Sequence, residues 1–137
     1  MINIFCTSFY HVVDKEAIRY SIANSAPALF KSIPTISLFV PAFSIVADYK
    51  NKRITWEQYT DIYLNSLRSR YAELVVLLKT LSEKQTTNME FCCWENQYHR
   101  HCHRFIVADI INRTVIFEKI NNIAASVHDL DGVPGCL

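Results

Sequence analysis

Between residues 55 and 81, apolar side chains recur every three or four positions, at Trp56, Tyr59, Tyr63, Leu67, Tyr71, Leu74, Leu78 and Leu81. No glycine or proline interrupts them. A stripe of that period is what an α-helix presents to a core. The spacing predicts one long helix of about seven turns, roughly 40 Å in length. Thr55-Trp56-Glu57-Gln58 opens it as a capping box, the Thr55 hydroxyl taking an orphan amide while Gln58 reaches back.

Shorter patterns surround the stripe. Residues 2–6 and 89–94 are apolar runs that read as buried strands, and Thr7-Ser8-Phe9-Tyr10-His11 reads as a loop after the first. Ala17, Ile18, Ile22 and Ala23 sit at helical offsets with Asp14 as a cap, predicting a short helix over 14–24. The run 33–47 is too short to span a bilayer and is broken by Pro34 and Pro41. It reads as buried strand plus turn, the strand over 35–40. Phe105, Ile106, Ile110 and Ile111 predict a helix with Cys102, His103 and Arg104 in its first turn. β-branched and aromatic residues predict a fourth strand over 114–117.

Strands alternating with helices indicate an α/β fold, a single three-layer domain over 1–137 with a mainly parallel, Rossmann-like sheet of about four strands. The expected core covers about 2–118, and 129–137, with Gly132, Pro134 and Gly135, reads as a loose tail. Those two glycines are the chain's full complement, which excludes a Gly-rich phosphate loop and a dinucleotide fingerprint. A formal charge of +1 gives no global pull toward nucleic acid or membrane. Five cysteines, an odd number, follow a start without a secretory signature, so reduced thiols and a cytoplasmic location are expected.

Residues 91–104 concentrate the chemistry. Phe-Cys-Cys-Trp-Glu-Asn-Gln-Tyr-His-Arg-His-Cys-His-Arg carries three of the five cysteines, three of the five histidines, an acid and two arginines. In an α/β sheet, ligands sit outside the carboxyl ends of strands. That rule puts this segment and the Thr7 loop on one rim. Cys102 in a first helical turn, beside Arg104, is placed to be a thiolate nucleophile. His103 suits acid/base work, and Glu95 suits an orienter. Arg104 suits an anion clamp. His99, Cys93, Thr7, Ser8 and Tyr10 complete the candidate substrate-binding set.

Each of these residues also has a plainer fate. One of Cys92 and Cys93 must face away from the other, so Cys92 reads as an inert core thiol. Arg104 could pair with Glu95 purely to join strand and helix. No cofactor is expected. Zinc is the alternative, held by Cys93, Glu95, His99, Cys102 or His103, but the chain lacks a Cys-x-x-Cys pair. The usual phosphatase loop and the zinc-deaminase pattern are absent as well.

Cys93-Trp94-Glu95 followed by Cys102-His103-Arg104 resembles the bacterial, archaeal and phage family known as domain of unknown function 488, which pairs a strand ending Cys-x-Glu with a helix opening Cys-His-Arg. Upstream, Thr7-Ser8, Phe39-Val40-Pro41 and the Thr55, Tyr59, Tyr63 spacing are similar too, so the likeness covers about 4–112. The chain departs from the pattern in Tyr98, His99 and Arg100, and in having no lysine or arginine to bind phosphate between Ser8 and Lys15. The resemblance implies an intracellular α/β domain with a Cys/Glu/His/Arg site and names no reaction.

The reading is therefore a small enzyme acting on a nucleotide, nucleoside or nucleic-acid-derived anion, with a small nucleotide-like ligand as its partner and no membrane. The rival is a binding module for nucleic acid or a protein partner, with Trp94 and Tyr98 stacking on bases and Arg100 and Arg104 meeting phosphates. A homodimer through the long helix stays open.

Overall fold

The computed structural model describes residues 1–84, 88–94 and 102–128. Strand β1 (Ile2–Ser8) lies inside the sheet, paired parallel with β3 (Asn88–Cys93) on one side and β4 (Ile123–Val127) on the other. Strand β2 (Ile18–Ser21) pairs parallel with β3, giving the order β2-β3-β1-β4. The sheet is parallel throughout and the fold is α/β, as the alternation of strands and helices predicts. Interior strands of such sheets are covered on both faces. Accordingly β1 and β3 are buried almost end to end.

Among the described residues, four α-helices accompany the sheet: α1 (Phe43–Lys50), α2 (Trp56–Ser69), α3 (Tyr71–Ser82) and α4 (His103–Phe117). Ile2, Ile4 and Cys6 of β1, Met89, Phe91 and Cys93 of β3, and the buried stripes of α2, α3 and α4 form one apolar cluster. The opposite face carries Phe5, Arg19, Glu90 and Cys92, which the strand pleat turns away from that cluster. Segment 9–17 crosses this second face. The Asp14 amide donates to Glu90 at 3.0 Å, and the Asn88 side chain donates to the Asp14 carboxylate.

Four expectations are corrected. The single long helix is two, because Arg70 adopts φ −117° and ψ 29° and its amide bonds to Leu67 and Arg68 carbonyls. Ser69 turns its hydroxyl onto the Ser66 carbonyl just before the break, the local competition that loosens helices at serine. The buried stripe continues across it, as Tyr59, Tyr63 and Leu67, then Leu74, Leu78 and Leu81, while Tyr71 is left at the surface. Thr55 and Gln58 do form the capping box.

Residues 14–24 hold β2 rather than a helix. Arg19 is drawn across the sheet to Glu90 at 3.2 Å and to the Ser8 and Phe9 carbonyls, and these long-range partners override a weak helical period. Residues 35–40 form a short 3₁₀ turn (Ser37–Phe39), with only Thr35 bridging to Ser21, and the turn predicted by 47 is helix α1. Residues 114–117 close α4 rather than making a strand. Thr114 and Val115 continue the buried face of Val107 and Ile111, while Ile116 and Phe117 point outward. The fourth strand is β4, which starts six residues beyond Phe117. The predicted tail over 129–137 lies outside the described residues.

Candidate functional site

Two neighbouring cysteines leave β3 in opposite directions. Cys92 packs with Phe9 and Ala23 on the second face, whereas Cys93 joins the main cluster beneath α4. Cys102 is the N-cap of α4, with extended φ −139° and ψ 145°, and its side chain makes no capping hydrogen bond. Its sulfur lies 3.1 Å from Cys93 Sγ and 3.8 Å from His103 Nδ1.

The His103 ring is oriented from behind. Its Nε2 lies 2.6 Å from the Ile22 carbonyl oxygen, just past the end of β2. A carbonyl only accepts, so Nε2 carries the proton, and a neutral ring then offers the Nδ1 lone pair on the side of the Cys102 sulfur. The Tyr63 ring meets the imidazole edge to face at 5.8 Å, and the Tyr63 hydroxyl donates to the Phe39 carbonyl at 2.7 Å. Burial pushes the ionisation of that hydroxyl up, so it stays a phenol and a donor.

Arg104 has no exposed surface. Its Nη1 donates to Cys93 Sγ at 3.2 Å, and the guanidinium lies over the Phe105 ring at 5.2 Å. A cation hydrogen-bonded to sulfur favours the thiolate there. Cys6, on the adjacent strand, is the contrasting case: burial first, then the neighbouring Cys93, pushes its thiol up, against a smaller opposing pull from Arg104. It remains a protonated core residue.

A cleft of about 510 Å³ opens above Cys102 and His103. Ala23, Asn24 and Ser25 after β2 form one wall, and Trp94 after β3 stands beside them, its indole N–H donating to the Ser25 carbonyl. Phe43, Val46, Tyr49 and Lys50 of α1 and Trp56 and Tyr59 of α2 form the other. Trp56 and Tyr59 stack at 4.9 Å and 15°, and Tyr49 tilts against both. The lining is aromatic with one ammonium, Lys50, among the described residues.

Of the residues singled out in the sequence, Cys93, Cys102, His103 and Arg104 come together. Arg104 is fully buried and not part of the cleft lining, and among the described residues Lys50 is the cation in that lining. Thr7 and Ser8 belong to β1. The Thr7 hydroxyl donates to the His11 carbonyl at 3.1 Å, and Ser8 Oγ accepts from the Tyr10 amide at 3.2 Å. Tyr10 is exposed, edge-on to Phe30. These three shape the turn after β1 and do not line the cleft. Glu95, His99 and the rest of residues 95–101, including Tyr98 and Arg100, lie outside the described residues. Among the described residues, no group of three or more His, Cys, Asp or Glu converges as a metal site.

Apart from Trp94, the sequence reading passed over the cleft wall. Trp56 and Tyr59 fit a core stripe so well that their second role, facing a cavity, left no separate mark. Lys50, ending an unpredicted helix, had none either.

The sequence model of the active DUF488-N3 subclade matches residues 31–115, from before α1 nearly to the end of α4. The chain belongs to this DUF488 family. The matched span holds α1, α2 and β3 and the Cys102-His103-Arg104 start of α4, and thus most of the cleft. Thr7 and Ser8 precede it. No curated protein and no solved structure matches the chain. No helix among the described residues is long and apolar enough to cross a membrane.

Proposed function

We propose that this DUF488 chain is a thiol-dependent enzyme acting on a nucleotide, nucleoside or nucleic-acid-derived anion. The observation that carries the proposal is the line from the Ile22 carbonyl through His103 to the Cys102 sulfur, at the floor of an aromatic cleft. Nucleophile, base and orienter in that order are the general design of covalent catalysis. The description of the matched subclade as active supports the same reading.

In this scheme a planar base enters between Trp94 and the Trp56/Tyr59 wall, where stacking contributes about 1–3 kcal/mol per base. Lys50 meets the anionic group. Cys102 attacks the electrophilic centre of the bound molecule, its proton passing to His103 Nδ1, and the imidazolium returns that proton to the leaving group. Arg104 acts from below by holding negative charge on the sulfur pair. Glu95 is assigned the part of a second acid or orienter.

The test is a panel of nucleosides, nucleoside phosphates and short single-stranded oligonucleotides, with products resolved by chromatography. Turnover of a base-bearing compound is expected, falling about a thousandfold or more in Cys102→Ala and about a hundredfold in His103→Gln. Trp56→Ala should raise KM more than it lowers kcat. Oligonucleotide binding that weakens steeply with salt, without turnover in any variant, would move the chain to the binding-module class.

A further inference from the structure

The scheme above uses Cys102 and leaves Cys93 idle, although the two sulfurs are 3.1 Å apart. We propose that Cys93 and Cys102 form a redox pair, in which Cys102 reduces a small hydroperoxide arriving through the cleft and Cys93 resolves the product as an intramolecular disulfide. The inference rests on the functional reading only for the reactivity of Cys102.

The geometry argues for it in three ways. Cys102 lines the cleft while Cys93 lies behind it, fully buried, so an oxidant meets Cys102 first. The sulfurs need to close by only about 1 Å to reach the bond length of a disulfide near 2.05 Å. Finally, Arg104 donates to Cys93 Sγ at 3.2 Å, which favours the attacking thiolate.

The chemistry balances as follows. The Cys102 thiolate attacks the terminal oxygen of R–O–O–H, the O–O bond breaks, and Cys102 becomes a sulfenic acid. The departing alkoxide takes a proton from the His103 imidazolium. The Cys93 thiolate then attacks the Cys102 sulfur, an S–S bond forms, and the S–O bond breaks to release hydroxide, which is protonated to water. Two electrons pass from the sulfurs to the peroxide, and an external dithiol returns them. Cys92 takes no part, since the pleat turns it to the other face with Phe9 and Ala23.

The experiment is to treat reduced full-length protein with cumene hydroperoxide, count thiols after denaturation, and map the cross-linked peptides by mass spectrometry. Two thiols per chain should disappear, with Cys93 joined to Cys102, and dithiothreitol should restore both. Cys93→Ser should keep Cys102 as a sulfenic acid that dimedone traps, and Cys102→Ser should lose no thiols. Should Cys93→Ser not fold, as judged by circular dichroism, Cys93→Ala replaces it, and the wild-type map alone decides. A sulfenic acid that persists in the wild type, or a bridge through Cys92 or Cys6, overturns the proposal. No nucleotide enters this assay, so its outcome is independent of whether nucleotide turnover is found.

Discussion

Cys92 and Cys93 are adjacent in one strand and carry the same atoms, yet the fold gives them unrelated chemistry. Cys92 faces the second side of the sheet, within an apolar pocket near the Arg19–Glu90 pair. Burial is the largest influence on it and, with help from Glu90 and Cys93 and against Arg19, pushes its thiol up to about 12. Cys93 faces α4, where Arg104 donates to its sulfur and Cys102 lies beside it. The fully buried Arg104 and the partly buried Arg19 differ in the same way. Arg19 pairs with the Glu90 carboxylate at 3.2 Å, whereas Arg104 donates to the Cys93 sulfur and lies over the Phe105 ring. A single step along a pleated strand thus separates a structural half of the sheet from a chemical half.

The largest expected difference between the halves is in thiol reactivity. A thiol held near 12 is roughly 10⁻⁴ to 10⁻⁵ thiolate at pH 7.5, so native Cys92 should alkylate at least about a thousandfold more slowly than Cys102. Iodoacetamide labelling of folded protein, followed by peptide mapping, measures both rates at once. Equal rates would erase the contrast. Next comes Glu90→Ala, which leaves the Arg19 guanidinium without its carboxylate and removes the acceptor for the Asp14 amide. Breaking such a pair is expected to cost about 3 kcal/mol in urea unfolding. If the two halves are as separate as their geometry indicates, the Cys102 labelling rate stays within about twofold of wild type once folding is complete.

The sequence made the chemical half more legible than the structural half. Cys102, His103, Arg104 and Cys93 stand close together in the chain, and the helix start that unites them is written in local periodicity. The family likeness rests on the same letters. The second face could not be read that way, because Arg19 and Glu90 are 71 positions apart and nothing local in 14–24 announces a strand. Segment 114–117 misled for a related reason: a β-branched run suits a strand, but here Val115 finishes a helix face begun at Val107 and Ile111. The cleft wall was hidden in the stripe of α2, since a residue that packs on one edge and lines a cavity on another has the pattern of a core residue. The break at Arg70 depends on one backbone conformation, which periodicity does not encode.

Tyr63→Phe sharpens the chemical side. The hydroxyl is buried, and its loss leaves the Phe39 carbonyl without that donor, an expected cost of about 1–2 kcal/mol in urea unfolding. The ring still packs edge to face on His103, so the labelling of Cys102 should keep its pH profile. In His103→Gln, by contrast, the rate should follow only an ordinary thiol titration near pH ~8.5. A Tyr63→Phe profile that moved as far as that of His103→Gln would mean the phenol, not the Ile22 carbonyl, sets the imidazole.

The smallest effect belongs to the loop that crosses the second face. Hydrogen bonds from the Asn88 side chain and then the Glu16 amide hold the Asp14 carboxyl below the usual carboxylate range. A depressed folded-state value means that the native chain binds the proton less readily than the unfolded one. The stabilisation is therefore present above the ordinary aspartate value near ~3.9 and is lost as pH falls through the lower, folded value. Asp14 is solvent-exposed at its rim, so the change should be slight, and Asp14→Asn should flatten that acid limb of the stability curve. The same substitution should leave the labelling of Cys102 untouched at every pH. An acid-dependent change in Cys102 reactivity that disappeared in Asp14→Asn would connect the two faces through β3, and the division between structural and chemical halves would have to be abandoned.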